Sequence, residues 1–370
     1  MKILVYIANK QTKTKMENEM KLHFKQKAQS YIRCALSGFI AAAALASGVT
    51  LAEEQPTVNW RMQALWDAGT TPYEYEKKFV ARVSQLTDGK FTIRLFGGGQ
   101  LAPSAQAFEA VRGGAFEMMK TFDGYKAGAI PTFAFTSTIP FGFPESDQYE
   151  TWFYEKGGLE FAREAYAQAG LFYIAPTVYG QEPIHSKFPI HKPEDVKGKK
   201  GRFVGLASTV MSKFGVAVTP LPTAEVYQAL EKGVIDFADR GDLTANLEAG
   251  LGEVAKYVIV PGFHQPTTAT SYVANQKAYD KLPDSYKAAL EVSAREISGS
   301  LRQHIIAQDA VALKKFQEQG AEIIHLDPAV VASARPTAVE AWKEAAGDDE
   351  LANKVLQSQI DFMKELGLLE

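Results

Sequence analysis

From Val58 onward, strand-like and helix-like patterns take turns, and that alternation restricts the chain to an α/β fold. Val58–Leu65 is an apolar run with strand character. Tyr73–Leu86 places Tyr75, Phe79, Val83 and Leu86 at helical spacing, and Thr87–Gly89 ends it. Phe91–Phe96 alternates as a second strand. Gly97–Gly99 turns the chain, and Ser104–Arg112 starts another helix. This βαβ rhythm predicts a mostly parallel sheet.

Further along, Phe133–Phe143 is apolar and punctuated by proline, which reads as a buried irregular connection. Tyr149–Ala169 is helical with a break at Gly157 and Gly158. Leu171–Val178, Gly201–Val204, Ala217–Thr219, Tyr257–Pro261 and Ser271–Asn275 read as strands. Thr223 caps a helix over Ala224–Lys232 that Gly233 stops. Pro283–Gln319 forms one long helix with an apolar face at Leu290, Ile297, Leu301, Ile305 and Leu313. Gly299 in its middle marks a kink or a close packing contact. No flexible linker interrupts the sequence. Two lobes without a linker require crossing strands, with a hinge around a cleft.

Residues 1–52 read as a leader and secretory signal. Lys21, Lys25, Lys27 and Arg33 precede the uncharged small-residue stretch Ala35–Val49, and Ala44–Ala46 and Thr50–Ala52 offer cleavage sites. Cys34 is the only cysteine and falls inside this leader. An exported chain of this size without disulfides suits a bacterial periplasm. It also excludes cysteine nucleophiles, zinc ribbons and iron–sulfur clusters. Of 40 basic and 43 acidic residues, eight and two lie in 1–52, which leaves 32 against 41 and a net charge of −9. Such an acidic exported protein does not fit nucleic acid or an anionic membrane as partner.

Catalytic motifs are missing. There is no G-x-S-x-G elbow, and the six histidines form no H-E-x-x-H pair. Gly97–Gly99 lacks the phosphate-loop ending and spacing. One basic residue is unusual. Arg202 follows Lys197, Lys199 and Lys200 but opens the apolar pair Phe203–Val204 between Gly201 and Gly205. An arginine at the edge of a buried strand needs an anionic partner, and its planar fork grips a carboxylate bidentately. That partner is either a ligand or a structural acid, Asp195 or Asp236. The three lysines read as a solvated face.

Several stretches resemble, in order, the DctP-type solute-binding subunits of tripartite ATP-independent periplasmic (TRAP) transporters. They are Phe96–Leu101, Ala110–Met118, Ile139–Phe143, Pro193–Arg202 and Pro222–Asp236, and the likeness runs from Trp60 to Leu369. Tyr179–Gln181 and Tyr257–Gln265 are most similar to the branch that binds 2-oxo acids and lactate. The resemblance implies a two-lobe, periplasmic-binding-protein-like α/β fold with hinge strands and a long C-terminal helix spanning both lobes. Lobe I is expected over 53–179 and 268–307, lobe II over 180–267 and 308–335, and a C-terminal helical segment over 336–370. It implies a binding protein, not an enzyme, that captures a small organic carboxylate and delivers it to small and large membrane subunits. A homodimer through the long helix is implied as an option.

By the same resemblance, Arg202 matches the carboxylate-gripping arginine and Gln181 a glutamine on ligand and metal. Asp239 and Arg240 stand where the family has an acid and then an aromatic residue. Gln265 stands for a glutamate after His264, and Tyr125 for a first-lobe aromatic contact. No cofactor is required, but Na+ or Ca2+ beside the ligand, held by Gln181, Asp239 and Gln265, is an expectation of the likeness. Arg240 adds a positive charge, which makes a dicarboxylate or sulfonate the second ligand class. A periplasmic enzyme and a ligand-presenting sensor are the alternative functions. Each site residue also has a structural reading. Asp239 and Arg240 could pair with Lys232 and Asp242, Gln181 could be a hinge amide, His264 a structural hydrogen-bonding group, and Tyr125 a turn anchor.

Overall fold

Eleven strands divide between two sheets among the described residues, and the chain passes between the sheets three times. The structure is a computed structural model that describes residues 55–370, Pro222 excepted. The chain divides into the units Met1–Pro56 and Thr57–Glu370, and all the described strands and helices belong to the second. The secretory signal and Cys34 lie outside the described residues.

The first sheet opens with β1 (Val58–Gln63), β2 (Phe91–Phe96), β3 (Met118–Thr121) and β4 (Leu171–Tyr179). The chain then crosses to the second sheet for β5 (Ile184–Ser186), β6 (Lys200–Arg202), β7 (Ala217–Val218), β8 (Phe237–Ala238) and β9 (Tyr257–Val260). It returns for β10 (Thr268–Asn275) and crosses again for β11 (Glu322–His325). The strand orders are β2-β1-β3-β10-β4 and β11-β9-β5-β8-β6-β7. Five of the nine strand pairings are parallel, so the expected mostly parallel sheet is instead two mixed sheets. The crossings are the cause. β10 comes back running against β3 and β4, and β5 enters running against β8 and β9.

Thirteen α-helices cover these sheets among the described residues. They are α1 (Thr71–Leu86), α2 (Ala107–Arg112), α3 (Phe133–Ser137), α4 (Ser146–Glu155), α5 (Gly158–Gln168), α6 (Leu206–Lys213), α7 (Val226–Glu231), α8 (Leu243–Glu248), α9 (Leu251–Val254), α10 (Gln276–Asp280), α11 (Asp284–Glu318), α12 (Pro328–Ala346) and α13 (Glu350–Glu365). Helix α1 buries Tyr75, Phe79 and Val83 as its spacing requires, but Leu86 at its last turn is exposed. Phe79 stacks on Tyr272 of β10 at 4.2 Å, which seats the helix on the sheet. The break between α4 and α5 falls at Gly157, where φ is +84°.

The Phe133–Phe143 connection is not irregular throughout, because it contains α3. All five residues of α3 are buried, so no polar face marks it in the sequence. Tyr149 and Gln359 both donate hydrogen bonds to the Phe135 carbonyl. Helix α11 runs unbroken for 35 residues through Gly299, and a Cβ there would meet nothing within 4 Å. The glycine therefore marks neither a break nor close packing. Helix α11 packs on β4 and α1 beside the first sheet and on α8 and β11 beside the second. Its Ser298 accepts a hydrogen bond from the Val178 N–H of β4 at 3.0 Å. The helical C-terminal segment begins at Pro328, and Trp342 of α12 donates to the Pro140 carbonyl at 3.1 Å.

Asp123, just past β3, is a buried carboxyl held by three hydroxyls. Tyr166 and Ser271 donate to Oδ1 at 2.6 and 2.7 Å, and Thr136 donates to Oδ2 at 2.6 Å. Burial outweighs these bonds and pushes its pKa up to about 6. The folded chain therefore keeps a proton that the unfolded chain has lost between about pH 4 and 6. Asp123 contributes stability at low pH and loses it as pH rises through that window. Urea titrations should show a wild-type loss of about 2–3 kcal/mol from pH 4 to 7, relative to Asp123→Asn. Parallel pH profiles would contradict the assignment.

Candidate functional site

A cleft enclosing about 330 Å³, solvent at its mouth included, is lined by residues that follow the ends of strands from both sheets. Leu65 and Trp66 follow β1, Phe122 and Tyr125 follow β3, and Glu182 follows β4. Arg202 ends β6, with Val204 behind it, and Arg240 follows β8. Carboxyl ends of parallel strands are where open α/β sheets gather ligands, because backbone and side chains there are free to turn.

Arg202 is only 2 % exposed. Parallel pairing sets Arg202 opposite Ala238, so the next residue, Asp239, stands beside the guanidinium. Nη1 donates to Asp239 Oδ1 at 2.6 Å and Nε donates to the Leu221 carbonyl at 2.9 Å. Asp239 is fully buried, and its Oδ2 faces His264 Nε2 at 3.3 Å. Burial opposes ionisation of Asp239, but the Arg202 charge and the His264 contact more than offset it and hold the carboxyl below its usual range. Burial likewise opposes the Arg202 charge, and Asp239 secures it. The two structural acids expected as alternatives are engaged elsewhere. Asp195 accepts from the backbone of His191 and Lys192, and Asp236 from that of Lys200. Arg202 also leaves its strand at once, so the strand expected to run to Val204 ends at 202.

Other expected site residues divide between the cleft and the layer behind it. Tyr125, 49 % exposed, lines the cleft and packs edge-on against Phe122. Arg240 lines it too, and donates from Nη1 to the Ala245 carbonyl at 3.0 Å. Gln265 lines it with a buried Oε1 that has no hydrogen-bond partner among the described residues. Asp239 and His264 are not among the lining residues and sit fully buried. Gln181 is tied into the crossing, where its Oε1 accepts from the Gly262 N–H at 2.6 Å.

The two crossing segments are stapled together. Glu182 N–H donates to the Gln265 carbonyl at 3.0 Å, and a Cβ on Gly262 would lie 1.7 Å from the Glu182 carbonyl oxygen. Only glycine permits that approach. Beyond the crossing, Gly205 (φ +57°) brings its backbone against Gly124, where an added Cβ would stand 3.1 Å from the Gly124 Cα. The turn after β3 and the turn after β6 thus meet main chain to main chain.

Glu182 is the functional candidate that sequence reasoning missed. It is buried, lines the cleft and accepts from the Tyr179 hydroxyl at 3.3 Å. Burial and the nearby Asp239 push its pKa up to about 8, against the pull of Arg202. Trp66, Phe122 and Thr270 were missed as well. The signal that finds them is their place just beyond strand ends or within the returning strand β10, not their local sequence.

The bacterial extracellular solute-binding protein family 7 model, DctP, matches residues 62–348. The chain belongs to this family. Its relatives include the monocarboxylate 2-oxoacid-binding periplasmic protein of Nostoc sp. PCC 7120, 28 % identical over 84 % of this chain and 85 % of that protein. A TRAP transporter solute-binding protein from Bordetella bronchiseptica RB50, solved with calcium and picolinate, is 30 % identical with a TM-score of 0.77 over 84 % of this chain and 93 % of that one. Another, from Pseudoalteromonas atlantica T6c with sodium and pyruvate, is 28 % identical with a TM-score of 0.76 over 84 % and 95 %. This DctP chain is thus a TRAP solute-binding protein, not an enzyme, and works outside the cytoplasm with membrane subunits. None of its described helices is long and apolar enough to cross a membrane.

Removing one member of a buried ion pair strands the other. Asp239→Ala should cost about 3–5 kcal/mol in urea unfolding, and Arg202→Met on top should recover part of that loss. Equal stability of Asp239→Ala and wild type would rule the pair out as a structural anchor. Gly262→Ala should fold with a displaced crossing and lose at least about 2 kcal/mol, read as a lowered urea midpoint.

Proposed function

We propose that the DctP chain captures a small 2-oxo or 2-hydroxy carboxylate in this cleft and releases it to the small and large membrane subunits of a TRAP transporter. The observation that carries the reading is the state of Arg202. Its Nε and Nη1 are spent on Leu221 and Asp239, while Nη2 has no hydrogen bond among the described residues. A guanidinium fixed on one side and lining a cleft on the other is set to take a carboxylate there. Trp66, Phe122 and Tyr125 surround that position with aromatic surface and keep water from it. The 2-oxoacids of the Nostoc relative and the pyruvate of the Pseudoalteromonas relative are of this class.

In the same reading, the two sheets are the cores of lobes over 53–179 with 268–307 and over 180–267 with 308–335. The crossings at 180–183 and 261–267 are the hinge, and Gly124 and Gly205 are the closing contact. Residues of α11 exposed along its solvent side, Val292, Ile306 and Val311, support a homodimer through that helix.

Of the three residues expected to hold a cation, Gln265 lines the cleft, Asp239 lies buried behind Arg202, and the Gln181 Oε1 already accepts from the Gly262 N–H. Gln265 Oε1 is a buried acceptor without a hydrogen bond among the described residues, and Asp239 Oδ2 has only the 3.3 Å contact with His264 Nε2. With Gln181 they would make an amide-rich donor set, and no group of three or more His, Cys, Asp or Glu among the described residues is placed to hold a metal ion. Such a set suits sodium or calcium. When bound, the ion would add positive charge for the ligand's oxygens. Arg202 and the aromatic wall would position the rest of the acid.

Calorimetry tests the reading. Pyruvate or lactate should bind the wild type, and Arg202→Ala should weaken binding at least about 10- to 100-fold. Stripping sodium and calcium should lower the affinity of the wild type. Unchanged binding by Arg202→Ala would remove the clamp from the proposal.

A further inference from the structure

We infer that Asp309 of α11 is a positioning residue for ligand capture, pinning the first turn of α8 and, through it, the Arg240 wall of the cleft. Its effect on capture rests on the carboxylate reading above, whereas the pin itself does not.

Three hydrogen bonds fold Arg240–Asp242 back onto the start of α8. Arg240 Nη1 donates to the Ala245 carbonyl at 3.0 Å, the Ala245 N–H donates to Asp242 Oδ1 at 2.8 Å, and Asn246 Nδ2 donates to the Gly241 carbonyl at 2.7 Å. Arg240 therefore moves with that turn. Its charge is not at issue, because Asp242, Glu182 and Asp67 all favour it. What the cleft needs is a fixed place for the side chain. A helix of six residues is too short to hold itself, and Asp309 supplies an anchor from outside. Its Oδ1 accepts from the Thr244 N–H at 3.0 Å and from the Thr244 hydroxyl at 2.9 Å. The far end of α8 touches α1, where the Thr71 hydroxyl donates to Glu248 Oε1 at 3.4 Å. Helix α8 thus links the long helix, the cleft and α1.

The pin depends on charge. Asp309 is half-buried beside Asp242, and burial and that like charge push its pKa up to about 7. Its own helix offers no counter-charge, since Ile305, Ile306, Ala312 and Leu313 stand one turn away on either side. From α8, Glu248 raises the pKa of Asp242 in turn, and Asp242 supports the Arg240 charge. From α1, Tyr75 packs on His304 of α11, and Lys78 lies over the Tyr75 ring. From β5, His185 packs on Phe316, two turns further along α11. The folded arrangement therefore favours the neutral Asp309 carboxyl, whose carbonyl oxygen still accepts from Thr244. As pH rises through about 7, repulsion from Asp242 returns and works against the pin.

Pyruvate calorimetry and amide hydrogen exchange over residues 241–250, on the full chain at pH 6 and 8, test the inference. The wild type should bind pyruvate about three- to tenfold more tightly at pH 6 than at pH 8. Glu182 also titrates in this range, so the deciding quantity is the change on substitution. Asp309→Asn keeps an acceptor for Thr244 without the charge. It should match wild-type affinity at pH 6 and cut the ratio between the two pH values at least about threefold. Asp309→Ala should weaken pyruvate binding about tenfold at both pH values and lower the protection factors over 241–250. Wild-type affinity in Asp309→Ala, or an unchanged pH ratio in Asp309→Asn, overturns the positioning role. If pyruvate binds no form of the protein, the carboxylate reading fails for that acid and exchange decides the pin. Protection lost in Asp309→Ala and kept in Asp309→Asn supports it, and unchanged protection in Asp309→Ala sinks it.

Discussion

The buried pair of Arg202 and Asp239 is the interaction on which the cleft depends. An arginine at this depth cannot shed its charge, so the fold must supply an anion or a ligand must. In this chain the fold supplies one on one side only. The parallel register of β6 and β8 delivers Asp239 to the inner edge of the guanidinium, and His264 backs the carboxylate from the loop after β9. In the proposed reading, the outer edge is left to the solute. Structural and ligand-binding roles, which compete as readings of a charged residue in a sequence, are on that reading two edges of one planar group.

The chain crosses between the sheets at the wall of this cleft. The stapled crossing at Glu182, Gly262 and Gln265 places cleft residues on the same short segments that join the sheets. Any rotation of one sheet against the other must pass through those segments and through α11, which carries the third crossing. Helix α11 touches elements of both sheets and holds the β4 backbone through Ser298 just before the crossing. In the proposed reading, binding and closure therefore share residues.

The α/β alternation was legible because α1, β2, α5 and α11 are long enough to show their periods. Four strands were not. β3, β5, β8 and β11 have two to four residues each, too few for alternation to register. Helix α3 is buried on every side and has no polar stripe to betray it. Within the site, Arg202 announced itself as a charge in an apolar setting. Its partner lies 37 positions away and becomes visible only through strand register. Glu182 was hidden for the same reason, since its neighbours come from β4, β6 and the turn after β8. Sequence patterns report local periodicity, whereas a cleft is assembled from strand ends that meet in space.

The discontinuous sheets also fix an order of assembly. The first sheet needs β10 between β3 and β4, so it has no continuous ladder until residue 275 has been made. The second lacks its edge strand β11 until residue 325. At about 5–20 residues per second, a growing chain spends many seconds with its first four strands present and the strand that joins β3 to β4 missing. Contacts of such long sequence separation form slowly, because the intervening loop must close before any pairing rewards it. A topology that delays its own core keeps a nascent chain open, and an open chain is the form that can still be threaded through a narrow translocation pore.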